Sequence, residues 1–71
     1  MNAKEATFQA LDTFADGANF KGIRLMGVAR YYHDASHYPS TYLRYMREYR
    51  QTHDCRITCI NKRKSLYRME R

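Results

Sequence analysis

Arg44, Arg47 and Gln51 carry hydrogen-bonding groups of fixed geometry and recur at spacings of three and four residues, with Ser40 four residues ahead of the first. On a helix those spacings bring all four to one side. A guanidinium presents a planar fork of donors that meets two acceptors at once, and a carboxamide sets a donor beside an acceptor. These are the groups that pair with guanine O6 and N7 and with adenine N6 and N7 on the edges of base pairs. Ser40 and Thr41 stand where such a helix would start, and the unbonded amides of a first turn attract an anionic oxygen. Tyr45 falls off the packing side and suits a phosphate contact or a partner surface.

A second group of cations follows in Lys62-Arg63-Lys64, with Arg56 and Arg68 on either side of it in the chain. The charge is unevenly shared. In residues 1 to 35, Lys4, Lys21, Arg24 and Arg30 are balanced by Glu5, Asp12, Asp16 and Asp34, whereas residues 36 to 71 hold the whole net charge of +6. A polyanion is therefore attracted to one part of the molecule and met with indifference by the other.

Other chemistries lack their residue patterns. A nucleophile beside a histidine and carboxylate, a glycine-rich phosphate-cradling loop and paired carboxylates are all missing, so no enzyme is expected. Cys55 and Cys59 on a strand would have Cα atoms roughly 13 Å apart, too far for a disulfide, and are expected as reduced core thiols. His53, Cys55 and Cys59 with His33 or His37 are metal-ligand types, but Cys-x3-Cys across a strand lacks the tight spacing of zinc knuckles, and neither metal nor cofactor is expected. No apolar run reaches the roughly 18 residues that cross a bilayer, and the first twenty residues do not read as a signal peptide, so a cytoplasmic location is expected.

Seventy-one residues accommodate one domain, and the seven tyrosines and three phenylalanines supply a core for it. Asn2 and Glu5 form a capping-box start, and Phe8, Leu11, Phe14, Ala15 and Ala18 recur at helical spacing, predicting a first helix over about residues 3–16. Gly17 is placed to end it in the left-handed conformation. A second helix is expected over about 21–33, with Leu25, Val28, Ala29 and Tyr32 on its packing face, shortened or made irregular by Gly22 and Gly27. Residues 34 to 40 read as a turn, and Pro39 or Ser40 opens a third helix over about 40–52 with Tyr42, Leu43, Met46 and Tyr49 packed inward. The period then changes to two, giving a hairpin over about 55–70. Ile57, the two thiols, Tyr67 and Met69 face the helices, and Lys62, Arg63 and Lys64 sit at the tip.

This mainly α chain with one small β-hairpin resembles the winged helix-turn-helix class, particularly its small prokaryotic and phage versions. The likeness rests on Tyr42-Leu43-Arg44-Tyr45-Met46-Arg47-Glu48-Tyr49-Arg50 as third helix, and on Arg56-Ile57-Thr58-Cys59 with Lys64-Ser65-Leu66-Tyr67-Arg68-Met69 as wing strands. It covers about residues 20 to 70. Gly22 and Gly27 depart from the brief, glycine-free second helix of the class. The resemblance implies a third helix in the major groove and a wing on the backbone or minor groove.

Two functions follow as expectations. The first is sequence-specific binding of double-stranded DNA, as a small transcriptional regulator or a phage or plasmid accessory factor. Ser40, Thr41, Arg44, Tyr45, Arg47, Gln51, Arg56, Lys62, Arg63, Lys64 and Arg68 would make the contacts. Homodimerisation or cooperative assembly is expected through the neutral first helix, and a small-molecule substrate is not. The alternative is a protein-interaction module whose tyrosine and arginine surface binds an acidic protein partner. Single-stranded RNA binding is a weaker fit, because no exposed aromatic pair on a sheet is evident.

Overall fold

The computed structural model of the chain describes residues 1–33 and 38–71. Three helices and three strands follow in the order α1 (Ala3–Asp12), β1 (Asn19–Lys21), α2 (Gly22–Tyr32), α3 (Pro39–Thr52), β2 (Arg56–Asn61) and β3 (Leu66–Glu70). The strands form one antiparallel sheet in the order β1-β3-β2. The architecture is a small α-plus-β fold rather than helices with a bare hairpin. The turn expected over residues 34 to 37, and with it His37, lies outside the described residues.

Each helix begins for a local reason. The Asn2 carboxamide oxygen accepts the Glu5 amide at 2.8 Å, satisfying one orphan donor of α1. Pro39 fixes the first turn of α3, and Tyr38 before it is extended, as a residue preceding proline prefers. α2 follows β1 without a linker, so Gly22 is its first residue, outside the interior where glycine is costly. α2 runs unbroken through eleven residues, one residue shorter at each end than its apolar pattern, and Gly27 does not interrupt it. Buried Leu25 and Ala29 hold it against α1 despite Gly27.

α1 ends four residues earlier than its apolar spacing predicts. Thr13 and Phe14 donate amides three residues back, to Ala10 and Leu11, which tightens and stops the helix. The Arg71 guanidinium then takes the Leu11 and Phe14 carbonyl oxygens at 2.8 and 2.9 Å, a cation at the negative end of the helix dipole. The chain turns through Gly17, in the left-handed region at φ +82°. The Gly17 amide donates to the Met69 carbonyl and the Met69 amide to the Ala18 carbonyl, so the turn delivers residues 19 to 21 onto β3. Asn19, Phe20 and Lys21 stand opposite Arg68, Tyr67 and Leu66.

The core lies between the helices and one face of the sheet. Leu11, Leu25, Ala29, Tyr42, Met46 and Tyr49 meet Phe20, Ile57 and Met69 there. Phe14 stacks on Phe20 with ring centroids 4.4 Å apart, and His53 stacks on Tyr49 at 4.0 Å. Tyr49 is fully buried, and its hydroxyl donates to an Asp12 carboxylate oxygen at 2.7 Å while accepting from Arg71 at 3.1 Å. Three distant elements are joined at that oxygen. Burial, and then the bond to Asp12, push the Tyr49 hydroxyl above its ordinary pKa of 10.0, and burial does the same to Tyr67.

Two packing expectations need correction. Cys59 is exposed rather than a core thiol, because β2 is an edge strand and Cys59, next to the register shift between Cys59 and Asn61, lies in a shallow open cleft beside α3 instead of under it. Leu43 keeps 37% of its surface, since it sits at the edge of the packed face of α3.

Replacing Tyr49 by Phe removes the shared hydroxyl and should cost about 1 kcal/mol, lowering Tm by about 4–8 °C. A hydroxyl pKa raised by folding contributes stability that is whole below pH 10 and lost as pH climbs beyond it. Urea titrations from pH 8 to 11 should therefore show declining stability, with a shallower decline in Tyr49→Phe. Equal stability and equal alkaline slopes in both proteins would contradict the assigned role.

Candidate nucleic-acid interface

The packed face of α3 fixes what its other side presents. With Tyr42, Met46 and Tyr49 buried, Ser40, Arg44, Arg47 and Gln51 all stand in solvent on the opposite side, as the helical period requires. Thr41 is half-buried, and its amide already donates to the Tyr38 carbonyl at 2.9 Å. Tyr45 is also half-buried. Its hydroxyl accepts a long 3.4 Å contact from Arg44, whose guanidinium carbon lies 5.1 Å from the ring centroid. The ring thus supports the Arg44 fork from one side.

Opposite Tyr45, α3 borders the hairpin. Leu43, Arg47 and Arg50 line one wall of a shallow cleft, and Ile57, Cys59 and Tyr67 line the other. Arg50 also donates to the Ile57 carbonyl at 3.3 Å, tying the helix to the edge strand. Further toward the start of α3, Pro39 and Leu43 share a groove with Arg63 and Lys64 of the hairpin turn. The cleft and the groove share Leu43, Met46 and Tyr67, so Arg47 and Arg50 on one and Arg63 and Lys64 on the other stand along the same border between helix and hairpin. Arg50 was not expected in this border, because on the helical wheel it falls between the packed and outward faces.

The turn is held in shape from within. The Asn61 carboxamide oxygen accepts the Lys64 amide at 3.1 Å, and the Lys62 carbonyl accepts the Ser65 amide at 3.2 Å. Ser65 then carries φ +50°, the left-handed region, which brings its carbonyl to the Gly22 amide at 2.8 Å. The tip is docked on the start of α2. Lys62, Arg63 and Lys64 are exposed there, and among the described residues none of them, nor Arg44 or Arg47, forms an ion pair. Their field is uncancelled.

Arg56 and Arg68 go elsewhere. Strand alternation turns Ile57 and Met69 inward, so Arg56, Thr58 and Arg68 emerge on the sheet face away from the helices. There Glu70 stands opposite Arg56, and Arg68 donates to the Asn19 carboxamide at 3.1 Å. The structure does not bring these two arginines to the side of α3. Among the described residues no cluster of His, Cys, Asp or Glu could hold a metal ion, and no helix is long and apolar enough to cross a membrane. Burial raises the Cys55 thiol above its ordinary pKa of 9.0.

No protein-family model matches the chain, and neither a curated protein nor a solved structure is significantly similar to it.

Left-handed backbone costs a residue with a Cβ about 1 kcal/mol or more. Ser65→Gly should consequently raise the free energy of unfolding in urea by about 0.5–1 kcal/mol, and Ser65→Val should lower it. A destabilised glycine variant would show that the seryl side chain, rather than its backbone, holds the turn.

Proposed function

We propose that the protein is a sequence-specific double-stranded DNA-binding protein of winged helix-turn-helix type, with α3 entering the major groove and the β2–β3 turn lying along the flanking backbone or minor groove. The observation that carries this reading is the common placement of two cationic groups that form no ion pair among the described residues. Arg47 on the outward side of α3 and Arg63 and Lys64 on the turn border the same side of the molecule. The element order, with a strand between the first two helices and sheet order β1-β3-β2, supports the same architecture.

The division of labour follows from geometry. An α-helix fits the major groove, where Arg44 and Arg47 can each form two hydrogen bonds with a guanine and Gln51 with an adenine. The Ser40 hydroxyl at the start of α3 meets a phosphate or base edge. Lys62, Arg63 and Lys64 neutralise phosphates and release counterions, a contribution insensitive to sequence. Arg56 and Arg68 take no part in this arrangement. A transcriptional regulator or a recombination accessory factor would use the same surface.

Protein contacts fall to another face. Ile23 and Tyr31 on α2 are 75% and 84% exposed, with Gly27 between them, whereas α1 buries its apolar side. Any self-association that extends the site over more base pairs is thus assigned to α2 rather than to α1. The alternative reading, a module that binds an acidic protein partner through its tyrosine and arginine surface, would draw instead on the exposed arginines of α3.

Quantitative binding to a selected duplex and to its scrambled counterpart tests the proposal. Arg44→Ala or Arg47→Ala should cost about 1–3 kcal/mol on the selected duplex and little on the scrambled one. Lys62→Ala or Lys64→Ala should weaken both alike and lower the slope of log affinity against log salt by about one. Equal losses on both duplexes for every variant would remove base reading, and a flat salt dependence would remove DNA as the partner.

A further inference from the structure

A groove of about 380 Å³ opens between the start of α2, the first half of α3 and the end of the hairpin turn. Its lining is mostly apolar, with Ile23, Met26, Leu43, Met46 and Tyr67, and the cations that line it are Arg63 and Lys64, both exposed residues of the hairpin turn. Among the described residues no acidic side chain lines it. The volume lies in the range of small-molecule sites, and walls on three sides favour a compact ligand over a peptide helix, which needs an open trough. Two features of the walls call for an occupant. Ile23 keeps 75% of its surface and Leu43 keeps 37%, so apolar surface that folding leaves wet would be covered by a ligand.

The chemistry of those cations selects the head group. Arg63 and Lys64 have no acidic partner among the described residues, so an anion there adds attraction without displacing an existing pair. The Ser65 hydroxyl, beside them on the rim, can donate to the same oxygen. A phosphate diester would satisfy the cations but leave the apolar walls wet, while a neutral hydrocarbon would fill the walls and leave the cations unanswered.

We infer that this groove binds a small organic acid with a compact apolar body and one carboxylate, the body between α2 and α3 and the carboxylate at Arg63 and Lys64. The site shares those two cations with the DNA surface described above, yet its existence does not depend on that reading. It provides a place for ligand response within a single small domain.

Straight-chain carboxylates from hexanoate to decanoate, with octanol as the uncharged control, are the probes. Two-dimensional amide spectra of the full chain should show saturable shifts concentrated at Ile23, Met26, Leu43, Met46 and Ser65. Each added methylene should tighten binding about fourfold until the groove is full, which is the 0.8 kcal/mol of its transfer. Octanoate should bind about fivefold tighter than octanol, as a partly exposed charge pair allows. Arg63→Gln with Lys64→Gln should erase that preference, and Ile23→Asp, an exposed rim change that leaves the core intact, should weaken octanoate at least tenfold. Shifts that do not saturate, that scatter over Tyr31 and Tyr38, or that are equal for octanoate and octanol would overturn the inference. A protein that takes up octanoate but no duplex overturns the DNA reading and leaves the groove assigned; one that binds duplex but no octanoate does the reverse.

Discussion

A tyrosine ring buried at the centre of a small protein must find a partner for its hydroxyl, and the partners of Tyr49 decide how this chain is assembled. Asp12 comes from the last turn of α1 and Arg71 from the residue after β3, so one oxygen joins the three parts of the molecule. Arg71 also grips the carbonyl oxygens of Leu11 and Phe14, and its amide donates to Asp16, which closes the end of α1 and pins the end of β3 to it. The bond to Tyr49 in turn holds the guanidinium more firmly protonated. With β3 fixed there, the hairpin lies along the side of α3 that bears Leu43, Arg47 and Arg50. The direction of the cationic face is a consequence of the buried one.

The distribution of charge follows the same division. On the back of the sheet Arg56 and Arg68 have Glu70 and Asn19 as neighbours, and at the far side of α3 Glu48 lies 3.7 Å from Lys4. Those cations are spent on the fold's own surface. Along the helix–hairpin border the cations have no counterparts among the described residues, and holding like charges together there costs stability in a domain with little to spare. An anion bound along this border would relieve that repulsion.

Much of this was legible in the residues. The third helix is amphipathic through nearly four turns and has proline at its start, so its bounds were readable to within one residue, and the change of period after Asp54 announced the hairpin. Three features were not legible. β1 is three residues long, and Asn19-Phe20-Lys21 offers a single alternation, too little to separate from a loop. The early end of α1 depends on Arg71, sixty residues from Leu11 in the chain, where no local pattern can indicate it. The fates of Cys59, Arg56 and Arg68 depend on which strand forms the sheet edge and which face it turns to the helices. Alternation shows that neighbours diverge, but the third strand was needed to show where the covered area ends.

The most direct measurement is the map of backbone amide shifts when a short duplex is added to the isotope-labelled chain at low salt. If α3 and the hairpin turn form one surface for DNA, the largest changes fall at residues 40 to 51 and 61 to 65, with α1 and the outer sheet face around Asn19, Thr58 and Arg68 nearly silent. Changes centred instead on the outer sheet face or on Ile23 and Tyr31 of α2, or no change at any residue, would contradict the account.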